Sequence, residues 1–333
     1  MGLIQLDGRG KRNPEFSLET NGALIYLAPL ADGKVLASTT TLTDERLPPI
    51  VRMVPDRTAG KVGLSNLSVR ARAGSGAQTL IVGYITANGS TSVLARGAGP
   101  ALGGFGVPDP LADPSLTFFQ GPTALAQNQD WSAGTDAGAL ASAATRVGAF
   151  AFAPDSRDAA LLASAPAGAY TLQVGSSGAS SGVALAELYL TSDPPTSLQS
   201  PRIINFSVRT QVGTGADALI AGFTVAGPNT RKLLIRAIGP SLASFGVTGT
   251  LADPQLTLFR GNLPIGENDQ WGSYETPYGG IYEATRVAGA FALPPTSKDA
   301  ALIANLPPGG YTVRVTGVGD TTGVALLEVY ELP

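Results

Sequence analysis

Short apolar runs recur along most of this sequence, and nearly all of them are bounded by Gly, Pro or Asn. Runs of four to eight apolar or alternating residues between turn residues are typical of β-strands. Several such strands at close spacing predict a sandwich or a jelly roll. One short helix is predicted at 136–147, where DAGALASAATRV is weakly amphipathic. Within 79–190 the strand runs are TLIVGYI, SVLARGA, SLTFFQ, AALLASA, YTLQV and VALAELYL.

Long segments of the chain match each other at a nearly constant offset of 139 to 141 residues. LSVRARAGSGAQTLIVGY at 67–84 matches FSVRTQVGTGADALIAGF at 206–223, and LADPSLTFFQG at 111–121 matches LADPQLTLFRG at 251–261. A fixed offset between matching segments indicates one structural unit that is used twice.

The ends of the matching segments set the predicted domain boundaries. We expect two tandem β-sandwich modules of jelly-roll type, at 62–190 and 202–333. The stretch TSDPPTSLQSP at 191–201 contains three prolines and no apolar periodicity, so it is predicted to be a linker.

The first 61 residues follow a different pattern. GALIYLAPLADGKVLAST at 22–39 predicts two strands joined at Asp32-Gly33, a strong hairpin signal. LIQLDGRGKRNPEF at 3–16 is similar to IVRMVPDRTAGKVGL at 50–64, which gives a period of about 48 residues. A period of that length with several strands predicts a partial β-propeller-type blade over 1–61.

Composition narrows the functions that the chain can have. Charged residues make up 14% of the sequence and the net charge is −3, so there is no basic surface for nucleic acid. Cys and His are both absent, which removes thiolate nucleophiles, Ser-His dyads and the side chains that bind zinc best. We therefore expect a protein that is not an enzyme.

No apolar run approaches the roughly 18 residues that a membrane helix needs, and the first 16 residues do not form a signal peptide. We therefore expect no membrane insertion. The expected location is secreted or at the cell surface, with a signal peptide upstream of this sequence.

Four charged residues lie within apolar strands at equivalent places in the two modules. Because a buried ion is tolerated only when it is paired, we predict one structural ion pair per module. The predicted pairs are Arg96 with Glu187 and Arg236 with Glu328. A ligand-binding role for the arginines is the alternative.

The two tryptophans of the chain also occupy equivalent positions, after turns rich in Asn, Asp and Gln. An exposed Trp can stack on a sugar ring while neighbouring amides bind its hydroxyls, whereas a buried Trp caps a core. Both alternatives stay open from the sequence. The candidate ligand-binding residues are Asn128, Asp130, Trp131, Asn268, Asp269 and Trp271.

The same turns contain oxygen donors that could contribute to a calcium site, with Asp113 or Asp253 as further donors. No EF-hand or nonapeptide pattern accompanies them, so calcium is only a candidate cofactor and no other cofactor is predicted. Asp158 and Asp299 each follow a basic residue at the start of a strand, where a turn cap or a solvated edge is expected.

Several segments resemble known families of secreted bacterial proteins. NPEFSLETNGALIYLAPLADGKVLAS and the following PIVRMVPDR resemble the delta-60 repeat, a propeller-type blade. LIRAIGPSL (234–242), NDQW (268–271), its variant NQDW (128–131) and VALLEVYEL (324–332) resemble a duplicated β-sandwich module of Verrucomicrobia-type secreted proteins. That module is distantly similar to pre-peptidase carboxy-terminal domains.

The resemblance implies an accessory or adhesive module outside the cell, without catalytic residues. We therefore expect a non-catalytic binding or adhesion function, with an extracellular glycan or another copy of the chain as the partner. Two alternatives remain, namely a structural spacer or self-associating fibre subunit, and an accessory region of a secreted hydrolase.

Overall fold

The structure is a computed structural model that describes residues 63–192, 200–227, 229–274 and 280–332, without the side chains of residues 77, 273 and 274. Within 1–62 it describes only the backbone of five strands. Residues 193–199, most of the predicted linker, lie outside the described residues. The chain forms two compact units, 1–59 and 60–333.

The five strands of the first unit form two small antiparallel sheets. One contains β1 and β2, and the other has the order β3-β4-β5. The strands β3 and β4 flank the predicted Asp32-Gly33 turn and pair antiparallel, while the turn itself lies outside the described residues. The bounds are β1 Gly2–Leu6, β2 Arg12–Glu19, β3 Leu24–Pro29, β4 Val35–Thr39 and β5 Ile50–Met53.

The second unit is all-β, with sixteen antiparallel strands, as the sequence pattern predicts. Eight strands belong to the first sequence repeat, here called copy one, and eight to the second, called copy two. Copy one contains β6 Gly63–Ala73, β7 Leu80–Ala87, β8 Thr91–Ala98, β9 Pro114–Gln120, β10 Thr123–Asn128, β11 Ala159–Ala165, β12 Gly168–Ser176 and β13 Gly182–Leu190. Copy two contains β14 Arg202–Val212, β15 Leu219–Ala226, β16 Arg231–Ile238, β17 Pro254–Arg260, β18 Leu263–Asn268, β19 Ala300–Leu306, β20 Gly309–Gly317 and β21 Gly323–Glu331.

Each copy forms a sandwich of two four-stranded sheets. In copy one the front sheet has the order β10-β9-β12-β7 and the back sheet has the order β11-β8-β13-β6. Copy two repeats this arrangement strand for strand, with β18-β17-β20-β15 and β19-β16-β21-β14. The equal strand order follows from apolar positions that match along the two repeats.

The first strand of each copy also pairs with the front sheet of the other copy. β14 pairs with β7, where Val208 lies opposite Val82, and β6 pairs with β15, where Val69 lies opposite Ala221. Each front sheet is therefore extended by the back sheet of the other copy into a run of eight strands.

One hydrophobic core extends through both copies. It contains Val69, Val82 and Phe118 of copy one together with Val208 and Val313 of copy two, and all five are at most 1% exposed. On β7 the burial alternates from residue to residue, as a strand with one core-facing side requires.

Two short α-helices and several 3₁₀ turns connect the strands of the described residues. The helices are α1, Ala137–Val147, which was predicted from the sequence, and α2, Gly280–Val287, which was not. The longest 3₁₀ turns among the described residues are Pro100–Phe105, directly after β8, and Pro240–Phe245, directly after β16. Within the described residues, no helix has the length and apolar character needed to span a membrane.

Candidate functional site

The strands that precede these two 3₁₀ turns, β8 and β16, are buried on both faces. On β8, Val93 and Ala95 face the main core, whereas Leu94 and Ala98 belong to smaller clusters on the outer face of the back sheet. Helix α1 contributes Leu140 and Ala143 to one of these clusters. Because side chains alternate along a strand, Arg96 shares the outer face with Leu94 and Ala98. The predicted ion pair of copy one therefore lies outside the core between the sheets. It is covered by a layer that contains helix α1, Trp131 and Phe152, here called the covering layer.

In copy two, Arg236 and Glu328 lie opposite each other on β16 and β21. The Nε and Nη2 atoms of Arg236 donate to Oε2 of Glu328 at 2.9 and 2.6 Å. Nη1 donates to the carbonyl oxygen of Phe291 at 2.6 Å, and the hydroxyl of Tyr330 donates to Oε1 of Glu328 at 2.8 Å. Every nitrogen of this buried guanidinium thus has an acceptor.

In copy one, the equivalent contact between Arg96 and Glu187 is looser. Nε of Arg96 lies 3.4 Å from Oε2 of Glu187, and Tyr189 donates to Oε1 at 2.6 Å. Among the described residues, neither Nη1 nor Nη2 of Arg96 has a hydrogen-bond acceptor, although the side chain is only 1% exposed. The structure brings both predicted pairs together, but only in copy two does every nitrogen of the guanidinium have a hydrogen-bond acceptor.

Aromatic rings cover both guanidinium groups. Cζ of Arg96 lies 4.4 Å from the ring centre of Phe150 and 3.9 Å from that of Phe152. Cζ of Arg236 lies 4.6 Å from the ring centre of Phe291, while Leu293 occupies the place of Phe152. Contact with the ring faces partly compensates a cation for the loss of water.

Burial dominates the electrostatics of the pair in copy one. It lowers the pKa of Arg96, against the opposing effect of Glu187. It also raises the pKa of Glu187 above its ordinary value, against the effects of Arg96 and of the hydrogen bond from Tyr189, while Asp158 raises it further. The charged form of this pair is therefore strained by desolvation.

Asp158 and Asp299 are fully buried, so the solvated edge considered from the sequence is wrong. Oδ1 of Asp158 accepts from the backbone N–H groups of Gly99 at 2.7 Å and Ala101 at 3.3 Å. Oδ1 of Asp299 accepts from the corresponding N–H groups, of Gly239 at 2.8 Å and Ser241 at 3.4 Å. Each carboxylate therefore caps the 3₁₀ turn that follows the arginine-bearing strand.

The two tryptophans are partly built into the covering layer. Nε1 of Trp131 donates to the carbonyl oxygen of Ala153 at 2.9 Å, and its ring is half-buried against the cluster of Leu94 and Leu140. Trp271 is 6% exposed and its Nε1 donates to the carbonyl oxygen of Pro294 at 3.0 Å. Trp271 is thus a core residue, whereas Trp131 keeps part of its ring accessible.

The amide groups of the predicted ligand-binding residues Asn128 and Asn268 hold neighbouring backbone in the structure. Oδ1 of Asn128 accepts from the N–H of Ala160 at 3.0 Å, and Oδ1 of Asn268 accepts from that of Ala301 at 2.9 Å. Their Nδ2 atoms donate to the carbonyl oxygens of Asp130 and Gln270.

The acidic residues considered as calcium donors are either exposed or paired with a basic side chain. Asp130 and Asp269 have exposed side chains. Asp113 is bound by Arg157 at 2.7 Å, and Asp253 by Lys298 at 2.6 Å. Within the described ranges, no three acidic residues cluster as metal ligands would.

A cavity lies beneath the covering layer of each copy. The cavity in copy one has a volume of about 90 Å³, and the one in copy two about 150 Å³. Trp131 and Trp271 line the respective cavities. Arg96 lines the first, whereas Arg236 is not part of the wall of the second. The copy-one cavity is otherwise walled mainly by Leu94, Leu140, Ala144, Phe150, Phe152 and Ala160.

Sequence reasoning predicted the turn-capping alternative for Asp158 and Asp299 but missed the tyrosines and the covering phenylalanines. A signal was present for the tyrosines and for Phe150, because each recurs in both copies. Tyr189 and Tyr330 follow the glutamates by two residues, which puts them on the same strand face, and Phe150 and Phe291 begin the matching segments FAFAP and FALPP.

The chain was compared with known proteins at three levels. No family model matches the sequence, and no curated protein matches it. Among solved structures, vicilin from Corylus avellana (hazelnut) is 5% identical, with 80% of this chain and 78% of that chain covered and a TM-score of 0.18. The STIV MCP is 11% identical, with 84% and 90% covered and a TM-score of 0.18. Likenesses this low say nothing about function.

Proposed function

We propose that this chain is a non-catalytic binding region of a secreted or cell-surface protein, and that its ligand is a carbohydrate. The observation that carries the proposal is the half-buried Trp131, whose ring forms part of a cavity wall made largely of apolar side chains. An accessible indole face beside a polar group matches the amphipathic surface of a sugar.

The placement of the acidic residues supports a non-catalytic function. Glu187, Glu328, Asp158 and Asp299 are each at most 6% exposed, and each is held by hydrogen bonds within its copy. A glycosidase needs two carboxyl groups on either side of an accessible cleft. These four carboxylates maintain strand and turn geometry instead.

One edge of each eight-stranded run counts against growth into a fibre through strand pairing. The runs end at β10 and β19 and at β18 and β11, and of these β10 and β18 contain a bulge, at Ala124–Ala126 and near Pro264, where the register shifts. Bulges and prolines at an edge twist it away from further strands. The β10 and β18 edges therefore give no support to the fibre alternative.

A glycan array probed with the full chain tests the proposal. We expect retention on a defined set of glycans and loss of retention in Trp131→Ala, with Trp271→Phe as the matched control in copy two. Absence of retention on every glycan, together with concentration-dependent association in analytical ultracentrifugation, would replace the binding function with a self-associating one.

A further inference from the structure

The guanidinium of Arg96 is the one feature of the copy-one cavity that its own protein environment does not satisfy within the described residues. Nη1 and Nη2 are buried, lack acceptors, and belong to a side chain that lines the cavity. A buried donor without a partner costs about 1–3 kcal/mol, and more when it is charged. A ligand that supplies an acceptor there recovers this cost once the covering rings of Phe150 and Phe152 move aside, because neither nitrogen has accessible surface of its own.

Copy two shows which acceptor suits this position. There the equivalent nitrogen, Nη1 of Arg236, donates to a neutral carbonyl oxygen, that of Phe291, at 2.6 Å. In copy one the corresponding carbonyl, of Phe150, does not accept from Arg96. An amide carbonyl from a ligand would therefore repeat in copy one the contact that the chain makes for itself in copy two.

The surrounding charges argue against an anion. Arg96 already faces the carboxylates of Glu187 and Asp158, both buried. A third carboxylate in the same low-dielectric region would be repelled by these two while sharing a single cation. A neutral acceptor avoids this repulsion.

The size and lining of the cavity limit the ligand group further. A volume of about 90 Å³ exceeds the roughly 30 Å³ that one water occupies in the liquid, but it is far below the roughly 300 Å³ of a pocket for a whole drug-sized ligand. The side chains of Leu140, Ala144 and Phe152 offer apolar contacts. The cavity thus suits a small group with a methyl end and a carbonyl oxygen.

We infer that the copy-one cavity binds the acetamido group of an N-acetylated saccharide. The carbonyl oxygen accepts from Arg96, the methyl group contacts Ala144 and Leu140, and the ring of Trp131 lies against the sugar. This inference rests on the proposed carbohydrate-binding function and specifies its substrate class.

The test uses the full chain with ¹⁵N-labelled tryptophan, because the chain contains only two indole N–H groups. N,N′-diacetylchitobiose and cellobiose are the probes, since they differ in the acetamido groups alone. We expect the Trp131 signal to shift on titration with diacetylchitobiose, with an affinity at least tenfold higher than for cellobiose. The Trp271 signal should not shift. Acetate and glucuronate serve as the carboxylate probes.

Two cavity-filling variants keep Arg96 and its ion pair intact. Ala144→Leu should weaken diacetylchitobiose binding at least tenfold, whereas Thr285→Leu, at the equivalent place in copy two, should not. Should Ala144→Leu fail to fold, Ala151→Leu fills the cavity from an exposed position.

Equal affinity for the two disaccharides, preference for a carboxylate, or no shift at Trp131 would overturn the inference. Retention of the chain on glycans without acetamido groups, with Trp131 unperturbed, would overturn it while leaving carbohydrate binding in place. A chain that binds neither disaccharide and no glycan on an array would overturn both.

Discussion

At the scale of single residues, the two copies share one buried Arg-Glu pair, but the arginine has a full set of hydrogen bonds only in copy two. Arg236 is held by Glu328 and by the Phe291 carbonyl, whereas Arg96 keeps only a longer contact with Glu187 and the faces of two phenylalanine rings. Since both sites lie on strands with the same pairing, the difference arises in the covering segment and leaves the sheet unchanged.

Removing one partner of the tight pair should be costly. We expect Glu328→Ala to lower the free energy of unfolding by about 3–5 kcal/mol, because it leaves Arg236 charged and buried without its carboxylate partner. The double change Arg236→Met with Glu328→Leu should be close to neutral, since no ion then remains to be desolvated. Urea denaturation of the two variants measures the difference, and equal destabilisation by both would show that the pair is not a unit.

The pH dependence of stability should reveal Glu187. Its pKa is raised in the folded state, so the folded chain takes up this proton at a higher pH than the unfolded chain does. The stability that Glu187 contributes is complete below its ordinary pKa of about 4.3 and is lost as pH rises through the folded value. Glutamine does not ionise, so Glu187→Gln does not lose stability in this way. The free energy of unfolding of the variant should therefore rise relative to that of the wild type as pH rises from about 4.5 toward neutrality.

Urea unfolding at a series of pH values measures this gain, and an exposed glutamate provides the control. The hydrogen bond from Arg286 lowers the pKa of Glu283, so its contribution has the opposite sign and is lost as pH falls. A Glu187→Gln difference that is flat with pH, or that falls toward neutrality, would contradict the expectation.

At the scale of elements, the 3₁₀ turns after β8 and β16 are each fixed by a close approach of two backbone segments. A Cβ atom on Gly99 would overlap the carbonyl oxygen of Leu111, and one on Gly239 would overlap that of Leu251. The N–H groups of these two glycines also donate to the buried aspartates. The turn, the segment before the next strand and the aspartate therefore form one interlocked corner.

Substitution at this corner should be severe. We expect Gly239→Ala to cost at least about 1–3 kcal/mol of unfolding free energy, because backbone must move on both sides of the overlap. Gly104→Ala is the matched control, since a Cβ at Gly104 meets nothing within 4 Å. Thermal unfolding compares the two, and a Gly239→Ala midpoint equal to that of Gly104→Ala would refute the overlap.

The elements themselves differ in how well the sequence predicts them. The six quoted runs of copy one correspond to β7, β8, β9, β11, β12 and β13, because each has the apolar pattern of a strand with a buried face. Strand β10 lies at an edge with mostly exposed residues and gives no such pattern. Helix α2 has a stronger amphipathic pattern than α1, and the repeat could have predicted it.

At the scale of the whole molecule, the sharing of β6 and β14 could not be foreseen. Alternation along a strand tells which face is buried, but it does not tell which neighbour the strand will pair with. Arg96 illustrates the same limit, because its strand face was predictable and the layer that covers that face was not.

The shared strands and the common core should make residues 60–333 unfold as one unit. We expect a single urea transition seen equally by Trp131 in copy one and Trp271 in copy two, and a shift of both signals when Glu328→Ala is introduced in copy two alone. Separate transitions for the two indole signals would show that each copy is stable without the other, in conflict with the pairing of β6 with β15.

The exchange of first strands also sets the order in which a newly made chain can become compact. While the ribosome has completed only copy one, β7 has no β14 beside it and β6 has no β15, so two open edges persist until the second half emerges. Pairings this distant along the chain form slowly. Nascent chains halted after residue 192 should therefore remain sensitive to protease at β6 and β7, and prematurely terminated products should join each other through these edges.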